Sequence, residues 1–418
     1  MQLIEPPIEN QSRSCKLPWL VLIIIPFVLI GKALGAPDPQ VKNTAYHMDV
    51  LKAADPQTTA QADWQKNANA RTPCATPRVL RNRWEWVLRN RWEVELLHSD
   101  LAKSINRTQQ SCGAQLQSKL PNSGMGSNIH VLGAKLLEAN ERNKSLVETG
   151  FKWVDDSVCK LKPTSIGCYG APMHVCPTID ASAPIAGMNR LAGTNINYDT
   201  ANFTNKQLNE VAAQVARARN AATEYMFRTL NPDFLKLCEA AALEMFGPQG
   251  APPDLISMHM RWGDKGREMS LVSETVYKDM VDKLVEKHSI KNVTVLITTE
   301  DTKALAAFKK VADPAWTVLT YDKALSPRHG SKGGRIFEES GRHGLPSMIS
   351  LMLSLEARYY VLTLMSNWSR LINELRIVRV DQECCGCTDM IDVPGQITKF
   401  APSKVRKIPH QFYQHWML

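Results

Sequence analysis

Short apolar segments alternate with amphipathic segments in the second half of the chain. The apolar segments have the length and character of buried strands, and they are DLISMHM (254–260), NVTVLITT (292–299), WTVLTY (316–321) and YYVLTL (359–364). Four segments with helical spacing come between and after them, and they begin at Ser273, Asp301, Leu345 and Ser366. This alternation predicts an α/β fold in which helices cover both faces of a parallel sheet. We therefore predict a Rossmann-like domain at residues 251–395.

The first half of the chain is patterned less regularly. Residues 37–78 are rich in Ala, Pro, Gln, Thr and Asn, which is typical of a flexible stem. The segment VLRNRWE occurs twice, from Val79 and from Val87, and a later run, NIHVLGAKLLEAN, has helical spacing. We predict a stem with helices at 37–157 and a smaller α/β or mostly helical lobe at 158–250. The stem helix could pack on the body of the protein, pack on a second copy of the chain in a homodimer, or lie at the surface.

A strongly apolar run, LPWLVLIIIPFVLIG, occupies residues 17–31. Its 15 residues are too few to cross a hydrocarbon core of about 30 Å at about 1.5 Å per residue. If the span extends through 17–36, with Lys32 snorkelling, it forms a signal anchor behind a short cytoplasmic tail at 1–16. The alternative is a cleaved signal peptide, because ALGA (33–36) resembles a cleavage site. Both interpretations place the remaining chain in the secretory pathway.

Cysteine usage agrees with an oxidising compartment. Nine of the ten cysteines follow the apolar run, and Cys159, Cys168 and Cys176 form a cluster, so disulfides are expected. In ECCGC (383–387) the cysteines are too close together for the usual paired C-x-x-C zinc site, and no histidine pair lies nearby. Disulfides are favoured there also, with their pairing left open.

The net charge is +9, yet the charge pattern does not favour a nucleic-acid partner. Lys and Arg residues are scattered, and no basic groove interleaved with aromatic residues is visible. Part of the excess lies in a basic C-terminal tail at 396–418. A small phosphate-bearing ligand needs only one or two of these cations.

Polar residues follow every predicted strand and are expected at one rim of the sheet, where open parallel sheets bind ligands. Arg261 follows the first strand and has a guanidinium that can form two hydrogen bonds to a diphosphate. Ser366 and Asn367 open a helix, whose N-terminus attracts anions. Ordinary N-capping by Ser366 is compatible with that role.

Several cofactor classes are disfavoured by missing motifs. The chain contains no G-x-G-x-x-G and no Walker sequence, so a nicotinamide cofactor and ATP are not expected. It also contains no D-x-D triplet of the kind that commonly holds a nucleotide sugar through a divalent metal. These absences favour a site without a metal or a cofactor, in which Arg and a helix terminus hold the phosphate.

Three sequence regions resemble a known family. H-x-R-x-G-D-K (259–265), T-T-E-D (298–301) and S-N-W-S (366–369) resemble the motifs of the fucosyltransferases related to α1,6-fucosyltransferase, a group with relatives among α1,2- and protein O-fucosyltransferases. The resemblance covers roughly residues 220–380. It implies a GT-B-like fold, GDP-fucose as donor, a glycan or glycoprotein acceptor, inversion at the anomeric carbon and no required metal. It also implies a type II Golgi membrane protein.

The resemblance implies roles for individual residues. Arg261 would hold the β-phosphate and stabilise the leaving GDP, and Glu268 would be the general base, with Asp264 as the alternative. Lys265 completes the predicted catalytic set, and with His259 and Asp264 it would order the loop or contact donor and acceptor. Glu300 and Asp301 would lie near the guanosine, and Ser366 would contact the phosphate. Asn367 would also bind the donor.

Departures from the α1,6 pattern affect the expected acceptor more than the expected donor. Trp262 stands where those enzymes usually have a second Arg, and Ser350 stands where they have an acidic residue. Two other functions therefore stay open. One is a non-catalytic luminal protein of the same fold that binds a glycan or a nucleotide, and the other is a GT-B enzyme that uses another nucleotide sugar.

Overall fold

The chain divides into two units, Met1–Pro56 and Gln57–Leu418. A computed structural model describes residues 91–92, 95, 97–154, 165–173, 175–176, 180–187, 205–263, 271–325, 340–384 and 386–393. All of these residues belong to the second unit. The predicted membrane anchor lies outside them, and no helix among them has the length and apolar character needed to cross a membrane.

The described part of the chain begins with helices and ends with a parallel sheet and its helices. The elements are α1 (Asp100–Gln110), β1 (Gln115–Gln117), α2 (Met125–Glu141), β2 (Ser145–Val147), α3 (Asn205–Met226), α4 (Pro232–Phe246), β3 (Ile256–His259), α5 (Glu274–His288), β4 (Thr294–Thr298), α6 (Thr302–Val311), β5 (Thr317–Thr320), α7 (Ser340–Ser354), β6 (Tyr359–Leu362), α8 (Asn367–Leu375), α9 (Asp381–Cys384) and β7 (Asp389–Asp392). A π-helical segment, Arg376–Val380, joins α8 to α9.

Five strands form one sheet in the order β5-β4-β3-β6-β7, and every pairing is parallel. The predicted α/β class with a parallel C-terminal sheet is confirmed, and β3 to β6 lie within the four predicted strands. The fifth strand, β7, was not predicted. Its sequence DMID has acids at both ends and is only half-buried, so it lacks the apolar run that identified the other strands.

Both faces of the sheet are covered, because alternate side chains of its central strands enter two different cores. Ile256, Tyr359 and Val361 pack with residues of α5 and α6. Tyr360 and Leu362 face the other way and join a larger core that contains α2, α3, α4 and α7. Near-continuous apolar strands were therefore the correct signal for a sheet buried on both faces.

The helix predicted for the stem packs on the body of the protein. This helix is α2, and 13 of its 17 residues are buried. It contacts α3 and α8. Arg91 and Trp92, which belong to the second VLRNRWE segment, are buried as well. Arg91 pairs with Glu356 and Glu383 at 3.1 and 2.8 Å. The boundaries proposed for the stem and the lobe stay predictions.

Two disulfides are described in full. Cys112 pairs with Cys176 across 64 residues, and Cys384 pairs with Cys387. Cys168 is also disulfide-bonded, while the buried Cys238 is a free thiol. The expectation of disulfides in both cysteine-rich regions is confirmed.

Candidate functional site

The topology of the sheet creates a crevice between β3 and β6. These strands are neighbours, but the chain leaves β3 for β4 on one side and leaves β6 for β7 on the other. Ligands of open α/β sheets bind at such a switch point, outside the carboxyl ends of the strands. The residues that follow β3, β4 and β6 therefore define the candidate site.

His259, the last residue of β3, is buried and bonded to α8. Its Nδ1 lies 2.6 Å from Ser369 Oγ, and that hydroxyl oxygen accepts a hydrogen bond from the Thr363 N–H at 3.2 Å. The Ser369 O–H is thus available to donate to Nδ1, which leaves the imidazole proton on Nε2. Burial, reinforced by the nearby Arg261, lowers the pKa of His259 to about 3. The ring is neutral and ties the end of β3 to α8.

Arg261 and Glu300 are brought together across β3 and β4. Arg261 Nη1 donates to Glu300 Oε1 at 2.6 Å and to the Trp262 carbonyl at 3.1 Å. The Arg261 side chain is 16% exposed, whereas that of Glu300 is 39% exposed. The cation lies at the rim and a bound anion would compete with Glu300 for it.

Asp301 has a structural function in addition to its predicted one. It is the N-cap of α6 and accepts a hydrogen bond from the Lys303 N–H at 2.8 Å. The residue is buried. Of the acidic pair, Glu300 therefore has the more accessible carboxylate.

The N-terminus of α8 is not capped by a side chain. Ser366 occupies the N-cap position, which agrees with the N-capping considered from the sequence, but its hydroxyl makes no capping hydrogen bond. Its backbone N–H donates to the Thr363 carbonyl at 2.8 Å instead. An uncapped helix N-terminus at a switch point has N–H groups and a dipole directed at any bound anion.

A second helix N-terminus, that of α2, meets the first. Gly124 is the N-cap of α2, also without a side-chain capping bond. A Cβ added to Gly126 would lie 3.1 Å from the Asn367 carbonyl carbon and from the Trp368 nitrogen. Glycine therefore permits this close approach. Sequence reasoning missed the contact. The two glycines of SGMGS (123–127), at the start of an apolar helix, signal a close backbone approach but do not identify the partner.

Asn367 is bonded to its protein neighbours through both ends of its amide. The amide nitrogen donates to Ser127 Oγ, and the amide oxygen accepts from Arg370 Nη2. His130 Nδ1 lies 3.2 Å from the same oxygen. The structure thus gives Asn367 a bridging role between α8 and α2, beside its predicted donor contact.

Three predicted catalytic residues, Asp264, Lys265 and Glu268, lie outside the described residues, and their roles stay predictions. Within the described ranges, no group of three or more His, Cys, Asp and Glu side chains could hold a metal ion.

Comparison with known proteins gives only distant similarity. No protein-family model and no curated protein matches the chain. Among solved structures, the chain is similar to NodZ α1,6-fucosyltransferase co-crystallised with GDP, with 13% identity, a TM-score of 0.36, and coverage of 62% of this chain and 92% of that one. The same enzyme soaked with GDP-fucose has 13% identity and a TM-score of 0.36, with coverage of 63% of this chain and 93% of that one. Fucosyltransferase NodZ from Bradyrhizobium has 12% identity and a TM-score of 0.34, with coverage of 62% of this chain and 92% of that one. Similarity at this level identifies no reaction for this chain.

Proposed function

We propose that the protein is a glycosyltransferase that transfers fucose from GDP-fucose to a glycan or glycoprotein acceptor, with inversion and without a metal. The observation that carries the proposal is the pair of uncapped helix N-termini, of α2 and α8, at the switch point of a parallel sheet. Two such termini favour a ligand with two or more negative charges. A nucleoside diphosphate sugar fits this requirement, and the sequence motifs at the same rim favour GDP-fucose.

In the proposed mechanism GDP leaves as the new glycosidic bond forms. An acceptor hydroxyl loses its proton to Glu268 or Asp264, and its oxygen attacks the anomeric carbon of fucose. The bond from that carbon to the β-phosphate breaks, and GDP departs with the electron pair. Arg261 and the two helix N-termini stabilise the charge that develops on the phosphate. Arg261 would exchange part of its Glu300 contact for the phosphate.

The proposal includes a location. We place the protein in the Golgi membrane as a single-pass type II protein, anchored by residues 17–36. Secretion after cleavage of this segment is the alternative.

A second candidate function is nucleotide or glycan binding without catalysis. It is favoured by the engagement of Arg261 with Glu300 at 2.6 Å and by the bonding of both ends of the Asn367 amide. A binding module of this kind would retain GDP without releasing fucose.

Incubation of the full chain with radiolabelled GDP-fucose tests both functions. We expect fucose transfer to at least one member of a panel of glycans and glycopeptides, or slow donor hydrolysis without an acceptor, and neither should decrease after EDTA treatment. GDP binding without fucose release would favour the binding module. Absence of GDP binding, or a strict Mn²⁺ requirement, would contradict the proposal.

A further inference from the structure

A buried polar network connects three helices directly behind the N-terminus of α8. Glu374 of α8 accepts a hydrogen bond from Thr223 of α3 at 2.8 Å and lies 3.1 Å from His130 Nε2 of α2. The other ring nitrogen of His130 lies 3.2 Å from Asn367 Oδ1. Asn367 then donates to Ser127 near the start of α2. The network thus runs from the last turn of α8 to the two helix N-termini.

The spacing of the α8 residues explains how one helix supplies so many members. Asn367, Arg370 and Glu374 are separated by three and four residues, so they lie on one face of the helix. Arg370 donates to the Asn367 amide and, at 3.0 Å, to the Leu364 carbonyl just before the helix. The start of α8 is therefore held by the Arg370 side chain.

The same network has an excess of positive charge. Arg219 and Arg370 are 6% and 5% exposed, and Glu374 is the carboxylate that interacts with both. Arg219 Nε and Nη2, together with Arg370 Nε, have no hydrogen-bond partner within the described ranges. Burial, and then repulsion by Arg219, lowers the pKa of Arg370 to about 9, so it remains charged near neutral pH. The field behind α8 therefore has the same sign as its N-terminal dipole.

An apolar contact would join these helices with less desolvation cost. Polar networks of this kind fix a geometry, since each hydrogen bond is satisfied in only one arrangement of its partners. In this network the fixed quantity is the distance between the N-termini of α2 and α8.

We propose that His130, Asn367 and Ser127, supported by Glu374, are positioning residues that hold the two helix N-termini at a spacing where both bind one diphosphate. This inference rests on the proposed function. None of the four residues needs to contact the reacting atoms.

Ser127 and Ser123 form a matched pair for the test. Both serines lie near the start of α2. The Ser127 hydroxyl accepts a hydrogen bond from the Asn367 amide, and the Ser123 hydroxyl accepts one from the Asn128 amide at 2.8 Å. Both serines are half-buried. Of these two serine bonds, only that of Ser127 connects α2 to α8.

The experiment measures the affinity of the full chain for inorganic pyrophosphate and for GDP, together with the thermal midpoint. We expect Ser127→Ala to weaken the binding of both ligands about fivefold, as for one lost hydrogen bond. Asn367→Ala should weaken binding about tenfold or more, as for two or more lost hydrogen bonds. Ser127→Thr should restore most of the affinity because it keeps the hydroxyl. Ser123→Ala should stay within about twofold of wild type. If transfer is measurable, the donor KM should rise more than kcat falls.

The outcomes separate this inference from the proposed function. If wild type binds both ligands and Arg261→Ala weakens them, but Ser127→Ala and Asn367→Ala bind like wild type, only the positioning role is overturned. Equal losses for Ser127→Ala and Ser123→Ala would also overturn it, because they would indicate a general effect on α2. If wild type binds neither ligand, both proposals fail. Ser127→Ala decides the question if Asn367→Ala does not fold.

Discussion

Among single residues, Arg261 is the one whose loss should matter most for the proposed reaction. Removing its guanidinium deletes charge stabilisation on the leaving diphosphate, which typically costs about 3 kcal/mol or more of transition-state stabilisation. We expect Arg261→Ala to reduce transfer at least about 100-fold, and Arg261→Lys to recover little, since Lys lacks the bidentate geometry.

Arg358 provides the control for this prediction. It lies just before β6, at the opposite end of the sheet, and its side chain is 51% exposed. Arg358→Ala should transfer fucose at close to the wild-type rate. Near-normal turnover of a folded Arg261→Ala protein would remove Arg261 from the donor site.

The lowered pKa of His259 predicts that the stability of the protein depends on pH. Its pKa falls from 6.5 when unfolded to about 3 in the folded protein because of burial and the charge of Arg261. Below pH 6.5 the unfolded chain binds a proton that the folded protein does not, so the His259 contribution is complete above that pH and is lost as the pH falls. Between pH 6.5 and about pH 3, this group should lower the free energy of unfolding by about 1.4 kcal/mol for each unit by which the pH falls.

Urea unfolding of wild type and His259→Asn at pH 7.5 and pH 5 checks the prediction. The variant should lose less stability than wild type between the two values, because Asn can accept from Ser369 without titrating. Parallel pH profiles for the two proteins would mean that His259 is accessible to protons in the folded state.

Sequence reasoning predicted the location of residues in the sheet better than it predicted their hydrogen-bond partners. Arg261, Glu300 and Ser366 were selected because they follow predicted strands, and the structure brings them to one rim. The bridging function of Asn367 could not be predicted, because His130 is 237 residues away in sequence. No local pattern encodes a contact of that separation.

At the level of elements, the contact between α2 and α8 depends on one glycine. The Cβ of an alanine at position 126 would approach the backbone of α8 to 3.1 Å, whereas one at Gly124 would have nothing within 4 Å. We expect Gly126→Ala to lower the free energy of unfolding by about 1–3 kcal/mol and to weaken pyrophosphate binding. Gly124→Ala should cost less than about 1 kcal/mol.

Thermal melts with and without pyrophosphate measure both effects. Equal behaviour of the two alanine variants would show that α2 and α8 can move apart without consequence, which would contradict a shared anion site. The helix pair itself lay beyond sequence prediction, since apolar periodicity gives the existence of a helix but not its neighbour. For the sheet the periodicity was sufficient, except at β7, where only two apolar residues stand between acids.

For the molecule as a whole, the predicted secretory location has a direct consequence at its surface. Asn143 and Asn292 begin N-x-S/T triplets and are exposed, so both should carry N-glycans if this part of the chain is luminal. Asn367 should carry none, because its amide nitrogen is bonded to Ser127.

Enzymatic removal of N-glycans from the full chain expressed in mammalian cells measures this directly. We expect a mobility shift that becomes smaller in Asn143→Gln and Asn292→Gln, and that is unaffected by Asn367→Gln. A chain without any glycan would argue against a luminal body.

The strand order also has a consequence for how the protein is made. The central strand β3 pairs on one side with β4 and on the other with β6, which follows about a hundred residues later, so the second pairing is a contact of high sequence separation. During synthesis, β3 and β4 emerge first and leave an apolar edge of β3 open until Leu362 has left the ribosome. The crevice between β3 and β6 is thus among the last parts of this protein to form, and a chain truncated before β6 would be expected to depend on chaperones and to lack a binding site.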